Sequence, residues 1–132
     1  MVVRNLTQGT VVCRQAGRAD GFGSRALGLM FRRDWQGFDG LILSPCGSIH
    51  TWFMRMPIDV CFLDERWRVL RVAAVLRPWR FRLGARGTWG TLEIPAGALA
   101  RSRTGAGDRL ACEPLEQPER VGHPAGATKS EF

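Results

Sequence analysis

The chain has 132 residues, 45% of them hydrophobic, which suits one globular domain burying roughly two thirds of its unfolded surface. That apolar content excludes an intrinsically disordered chain, and no apolar run approaches the roughly 20 residues of a membrane helix. The formal charge is +7, with Lys129 the one lysine; such an excess favours weak attraction to nucleic acid, anionic lipid or acidic ligands, although a solvated arginine-rich surface explains it more simply.

The residues after Met1, Val-Val-Arg-Asn, lead into polar sequence with no apolar core of a signal peptide, so the expected location is cytoplasmic. Thr10-Val-Val-Cys-Arg14 is a β-branched run bounded by Gly9 and Gly17 and reads as a strand. Gly17 to Gly23 reads as a loop. Ser24 then caps an expected helix over residues 25–33, on which Leu27, Met30 and Phe31 form one apolar stripe. Asp39-Gly40 marks a turn before a short buried strand, Leu41 to Leu43.

Residues 48–54 alternate, with Ile49, Thr51 and Phe53 on one face and His50, Trp52 and Met54 on the other. Pro57 lacks a backbone donor and interrupts any ladder. Ile58 to Leu63 reads as a strand, Asp64-Glu-Arg66 as a hairpin turn, and Trp67 to Leu76 as the returning strand. Residues 77–87 read as a loop, and Thr88 to Ile94 as extended, with Trp89, Thr91 and Glu93 on one face. Ala98 to Thr104 is short and fits helix or loop. Gly107-Asp108 turns into a last strand, Arg109 to Glu113.

From Pro114 the chain is rich in proline, glycine and charge, which predicts a disordered polar tail over 114–132 behind a domain of residues 1–113. Many short strands, glycine turns and one helix near the N-terminus predict a mainly β domain, a small barrel or sandwich. The four cysteines, Cys13, Cys46, Cys61 and Cys112, have no close spacing, so no zinc site is expected. Cys13 and Cys61 read as small buried hydrophobes. No glycine-rich phosphate cradle or nucleophile motif occurs, so no cofactor is implied.

Two groups of residues carry chemistry. His50, Asp59 and Glu93 could line one cavity if the Pro57 bend brings their strands together. A histidine and two carboxylates suit general acid–base work or three ligands to a divalent metal. Trp52, Met54 and Met56 would supply an apolar wall, and Arg55 a charge-assisted contact to a small anionic or polar ligand. The plainer reading makes Asp59 and Glu93 scaffold, each paired with an arginine. The second group is Arg66 to Arg86, seven arginines interleaved with Trp67, Trp79 and Phe81 and free of acids. Arg77, Trp79, Arg80, Phe81 and Arg82 have the chemistry of a single-stranded nucleic-acid groove, but no named nucleic-acid motif accompanies them.

Gly28-Leu-Met-Phe-Arg32, Gly40-Leu-Ile-Leu43, the block from Ile49 to Asp64, Leu92-Glu-Ile-Pro-Ala-Gly97 and Gly107-Asp108 occur in the order typical of the DUF192 family, which the chain resembles over about residues 10–112. The resemblance implies a small, mainly β domain and names no reaction. Many members are exported or membrane-anchored; lacking a signal, this chain looks like a cytoplasmic one. The family's aromatic, methionine and basic residue look like Trp52 or Phe53, Met54 and Arg55, its strand aspartate like Asp59 and its late glutamate like Glu93. Members more often carry lysine, asparagine and threonine where this chain has Arg55-Met-Pro57, and the histidine at His50 belongs to a subset. The favoured expectation is a ligand-binding module around His50, Trp52, Met54, Arg55, Asp59 and Glu93. A hydrolase or lyase using Asp59 and Glu93, or a single-stranded nucleic-acid binder, stand as alternatives.

Overall fold

The computed structural model describes residues 1–19, 37–50 and 56–114; the expected helix over 25–33, the segment 51–55 and the tail beyond Pro114 lie outside the described residues, as does the side chain of His50. Within them the chain is mainly β. Its strands are β1 (Val2–Asn5), β2 (Thr10–Cys13), β3 (Ala16–Ala19), β4 (Gly40–Leu43), β5 (Ser48–His50), β6 (Ile58–Leu63), β7 (Val69–Leu76), β8 (Phe81–Leu83), β9 (Gly90–Pro95) and β10 (Leu110–Glu113). One five-residue helix, α1 (Ala98–Ser102), lies between β9 and β10.

Among the described residues the strands form three sheets and no closed barrel: β10-β1-β2, β3-β4-β9-β6-β7 and the two-stranded β5-β8. Strand β6 organises the larger sheet. Its six residues are all buried, because the sheet is covered on both faces. Alternation along the strand sends Cys61 and Leu63 to one face, where they pack with Ile42, Leu92, Ile94 and the α1 residues Ala98 and Leu99. The same cluster takes in Val3, Val12 and Leu110, so it also joins the smaller sheet to the larger one. Ile58, Val60 and Phe62 project to the other face and pack with Ile49, Ala73 and Leu76. Burying Phe62 removes one of the largest apolar side chains from water, a contribution of roughly 2 kcal/mol.

Two segments differ from their sequence reading, and the first strand has no counterpart in it. Ala16–Ala19, expected as loop, is a strand paired in parallel with β4. Phe81–Leu83, also expected as loop, is a strand paired with β5. The first strand, Val2–Asn5, occupies the centre of the smaller sheet. All three are too short, at three or four residues, to show a convincing hydrophobic period; each becomes extended because a distant partner supplies the ladder. The approach of the β8 end to the core is close: Gly84 N–H donates to Gly47 O at 3.0 Å, and a Cβ at Gly84 would stand 2.8 Å from Phe62.

The chain between α1 and β10 is tied to the β1–β2 turn by a buried polar network. Asn5 Nδ2 donates to Thr104 Oγ1 and to Asp108 Oδ2, both at 3.0 Å. Gly105 N–H adds a second bond to that carboxylate, and Asn5 Oδ1 accepts from Gln8 N–H. The Asn5 hydrogen bond holds Asp108 below its ordinary value of 3.8. A carboxylate depressed in the folded state stabilises the fold above its unfolded value, and that contribution is lost as pH falls through the lower folded one. Asn5→Ala should therefore cost roughly 2 kcal/mol near neutral pH. It should also blunt the loss of stability on acidification below 3.8, as read by urea unfolding at a series of pH values.

Candidate functional site

Asp59 is almost wholly buried, and its carboxylate is closed by backbone donors. Oδ1 accepts from Val75 N–H at 2.7 Å, and Oδ2 accepts from Gly97 N–H at 3.0 Å and Leu99 N–H at 2.9 Å. The sequence accounts for each bond. Opposite Asp59 the pairing of β6 with β7 shifts, Ile58 facing Leu76 and Val60 facing Ala73, so Val75 lies in a bulge. Its φ is 51°, a left-handed conformation costly for a β-branched residue. On the other side, Gly97 precedes α1 at φ 98° and has no side chain to cap the helix. Asp59 supplies the cap from a neighbouring strand. The expected ion pair with an arginine is absent among the described residues.

Glu93 sits in a different environment. Antiparallel partners directly opposite one another point to the same face. Glu93 is opposite Val60 on β6 and Leu41 on β4; Thr91 is opposite Phe62 and Leu43. Asp59, by contrast, is opposite Ile94. The two carboxylates therefore project from opposite faces of one sheet and do not meet. Strand alternation thus gives these two carboxylates no common face, and no group of metal-ligating side chains occurs among the described residues. The backbone of His50 ends β5, beside Ile49 of the Glu93 face, while Trp52, Met54 and Arg55 lie outside the described residues.

The Glu93 side chain is 3% exposed, and its Oε1 has no hydrogen-bond partner among the described residues. Thr91 Oγ1, two residues earlier on the same face, is likewise buried without one. Burial pushes the Glu93 carboxyl up to about 8, so near neutral pH it is mainly a neutral acid with one donor and one acceptor. Apolar side chains flank the pair: Leu41 and Val60 beside Glu93, Leu43 and Phe62 beside Thr91. Thr91 was visible in the sequence as a face-sharing neighbour of Glu93 but stood out no further, since threonine is ordinary in strands.

Two open clefts lie elsewhere, flanking the Trp67–Trp89 pair, whose rings are 6.4 Å apart and tilted. One, of about 580 Å³, is lined by Arg18, Glu65, Trp67 and Cys112 among others; the second, of about 460 Å³, by Cys46, Gly47, Glu65 and Trp89. Neither includes Asp59 or Glu93. The arginine-rich group is on the surface: Arg77, Trp79 and Arg80 link β7 to β8, and Phe81 and Arg82 belong to β8, all five exposed. All four cysteines are free thiols; Cys13 and Cys61 are buried, and burial pushes each up to about 12.

Two outcomes follow for the carboxylates. Asp59→Ala should cost about 3 kcal/mol or more, because three backbone donors lose their acceptor, and Asp59→Asn should fall between it and the parent in chemical denaturation. Glu93 is raised in the folded state, so the folded protein holds the extra proton between the unfolded value of 4.5 and the folded value of about 8. Stability should decline with rising pH across that window by roughly 1 kcal/mol per unit, and Glu93→Gln should flatten the decline.

The DUF192 family model, described as Uncharacterized ACR, matches residues 3–112. A UPF0127 protein of Pyrococcus furiosus is 35% identical over 111 residues, covering 80% of this chain and 93% of that protein. A UPF0127 protein of Thermococcus sibiricus is 30% identical over 128 residues, covering 93% of this chain and 82% of its own length. Among solved structures, a protein of unknown function from Novosphingobium aromaticivorans superposes with a TM-score of 0.73 at 27% identity, covering 84% of this chain and 83% of that one. With its strand aspartate clipping a bulge to a helix and its late glutamate buried on the opposite face, the chain belongs to the DUF192 family.

Proposed function

We propose that the protein is a binding module for a small polar or anionic ligand, seated against the face of the larger sheet that carries Thr91 and Glu93. The observation that carries this reading is the pair of buried oxygens, Thr91 Oγ1 and Glu93 Oε1, on one face of β9 in an apolar setting and without hydrogen-bond partners among the described residues. Each unpaired polar group buried in this way costs about 1–3 kcal/mol, a penalty a fold retains where the groups serve recognition. A neutral glutamic acid there donates one hydrogen bond and accepts another, and the threonine hydroxyl does the same. A ligand offering a carboxylate, carbonyl or hydroxyl matches that pattern.

The neighbouring chain supports the reading. Ile49 and Met56, which flank the segment singled out in the sequence, both pack on this face. Arg55 in that segment is proposed to meet the ligand's anionic group through a charge-assisted contact. Trp52 and Met54 would form its apolar wall, and His50 would stand at its edge. Asp59 belongs to the fold rather than to the ligand, its acceptor capacity being taken by three backbone donors. A hydrolase or lyase built on Asp59 and Glu93 together would need both groups on one side of the sheet.

Native mass spectrometry of the purified full-length protein is expected to reveal a retained small molecule, lost from Thr91→Val and from Glu93→Gln while both variants stay folded. Calorimetric titration of that molecule should show affinity falling as pH rises past about 8, because an ionised Glu93 can no longer donate and repels an anion. Retention by the parent and both variants alike, or by none of them, would remove this reading.

A further inference from the structure

We propose that the arch between β7 and β8 docks the protein on an anionic lipid surface. The arch carries an unusual concentration of exposed apolar side chains: Trp79 and Phe81 are each 57% exposed and Leu83 61%. Val75, at its near end, is exposed as well. Phe81 and Leu83 share one face of β8, so their side chains form a continuous apolar edge rather than scattered contacts. Arg71 Nη1 donates to Leu83 O at 3.1 Å, which folds the two strands back on each other and sets a guanidinium beside that edge.

The electrostatics select the partner. From Arg66 to Gly87 the chain contains seven arginines and no acid, and all seven are exposed. Of the two acids just before this run, Asp64 is engaged by the backbone N–H groups of Arg66 and Arg68 and closes the turn, and the exposed Glu65 leaves the stretch strongly positive. An apolar edge flanked by arginines matches the boundary between lipid head groups and acyl chains, where aromatic and aliphatic side chains enter and cations meet phosphates. A single-stranded nucleic acid fits less well. Leu83 and Val75 have no ring on which a base stacks, and alternation along β8 turns Arg82 away from the face shared by Phe81 and Leu83. Among the described residues no helix is long and apolar enough to cross a membrane, so the contact is a docking surface.

Flotation of the full chain with vesicles of phosphatidylcholine, alone or mixed with phosphatidylglycerol, tests the proposal. Binding should require the anionic lipid and weaken with added salt. The double variant Phe81→Ser, Leu83→Ser should lower the partition coefficient at least roughly tenfold, and Arg71→Glu with Arg80→Glu should abolish binding. Leu6→Ser, which changes an exposed leucine in the β1–β2 turn, should leave it unaltered. Unfolding curves matching the parent establish that each variant is folded. Equal binding to neutral vesicles, binding unchanged in the Phe81/Leu83 variant, or no vesicle binding beside salt-sensitive capture of a single-stranded oligonucleotide would overturn it.

Discussion

The carboxylate of Asp59 is the constraint on which the described fold turns. Three elements converge on it: the bulge at Val75, the glycine before α1, and the first turn of that helix. A helix of five residues has no stability of its own. It exists because its Ala98 and Leu99 enter the core shared by both larger sheets and because its leading donors find an acceptor. The strained backbone of Val75 is held in the same way, since the bond to Asp59 Oδ1 compensates for a conformation that valine avoids. Asp39 and Asp64 repeat the device on a smaller scale, accepting from Arg14 and Gln15 and from Arg66 and Arg68 respectively.

This arrangement divides the larger sheet by chemistry as well as by packing. The Asp59 face is satisfied: its buried carboxylate has all the donors it can use, and hydrophobic residues fill the rest. The face with Thr91 and Glu93 keeps polar atoms that nothing in the described structure answers. One strand, β9, contributes to both, sending Leu92 and Ile94 one way and Thr91 and Glu93 the other. Two acidic groups with equal standing in a sequence thus acquire opposite characters. A single strand's alternation and its register against β6 are responsible.

How much of this the sequence disclosed can be judged residue by residue. Ile58 to Leu63 was legible to its exact ends, since a strand buried on both faces shows as an unbroken apolar run after a proline. Asp59 and Glu93 were legible as unusual residues inside apolar strands, but their separation onto two faces was not. It depends on pairing Val60 with Glu93, a contact between residues far apart in the chain. Strands β3 and β8 were illegible for a related reason. Ala16–Ala19 is made of small residues and one arginine, and Phe81–Leu83 is exposed at every position, so neither has a period to read. Both are extended because β4 and β5 offer them a ladder.

The bulge at Val75 has one more consequence. Strand β7 lies at the rim of the five-stranded sheet; its first residue, Val69, bonds to Gly107 and Asp108, and beyond that the strand has no outer ladder partner among the described residues. A long, flat rim strand is a template on which another chain can add itself and begin to aggregate. Here the rim is bent where Val75 turns left-handed, its N–H is already bonded inward to Asp59, and Arg71 stands out from the middle of the strand. The feature that fastens the helix to the sheet thereby also makes this edge a poorer template for an incoming strand.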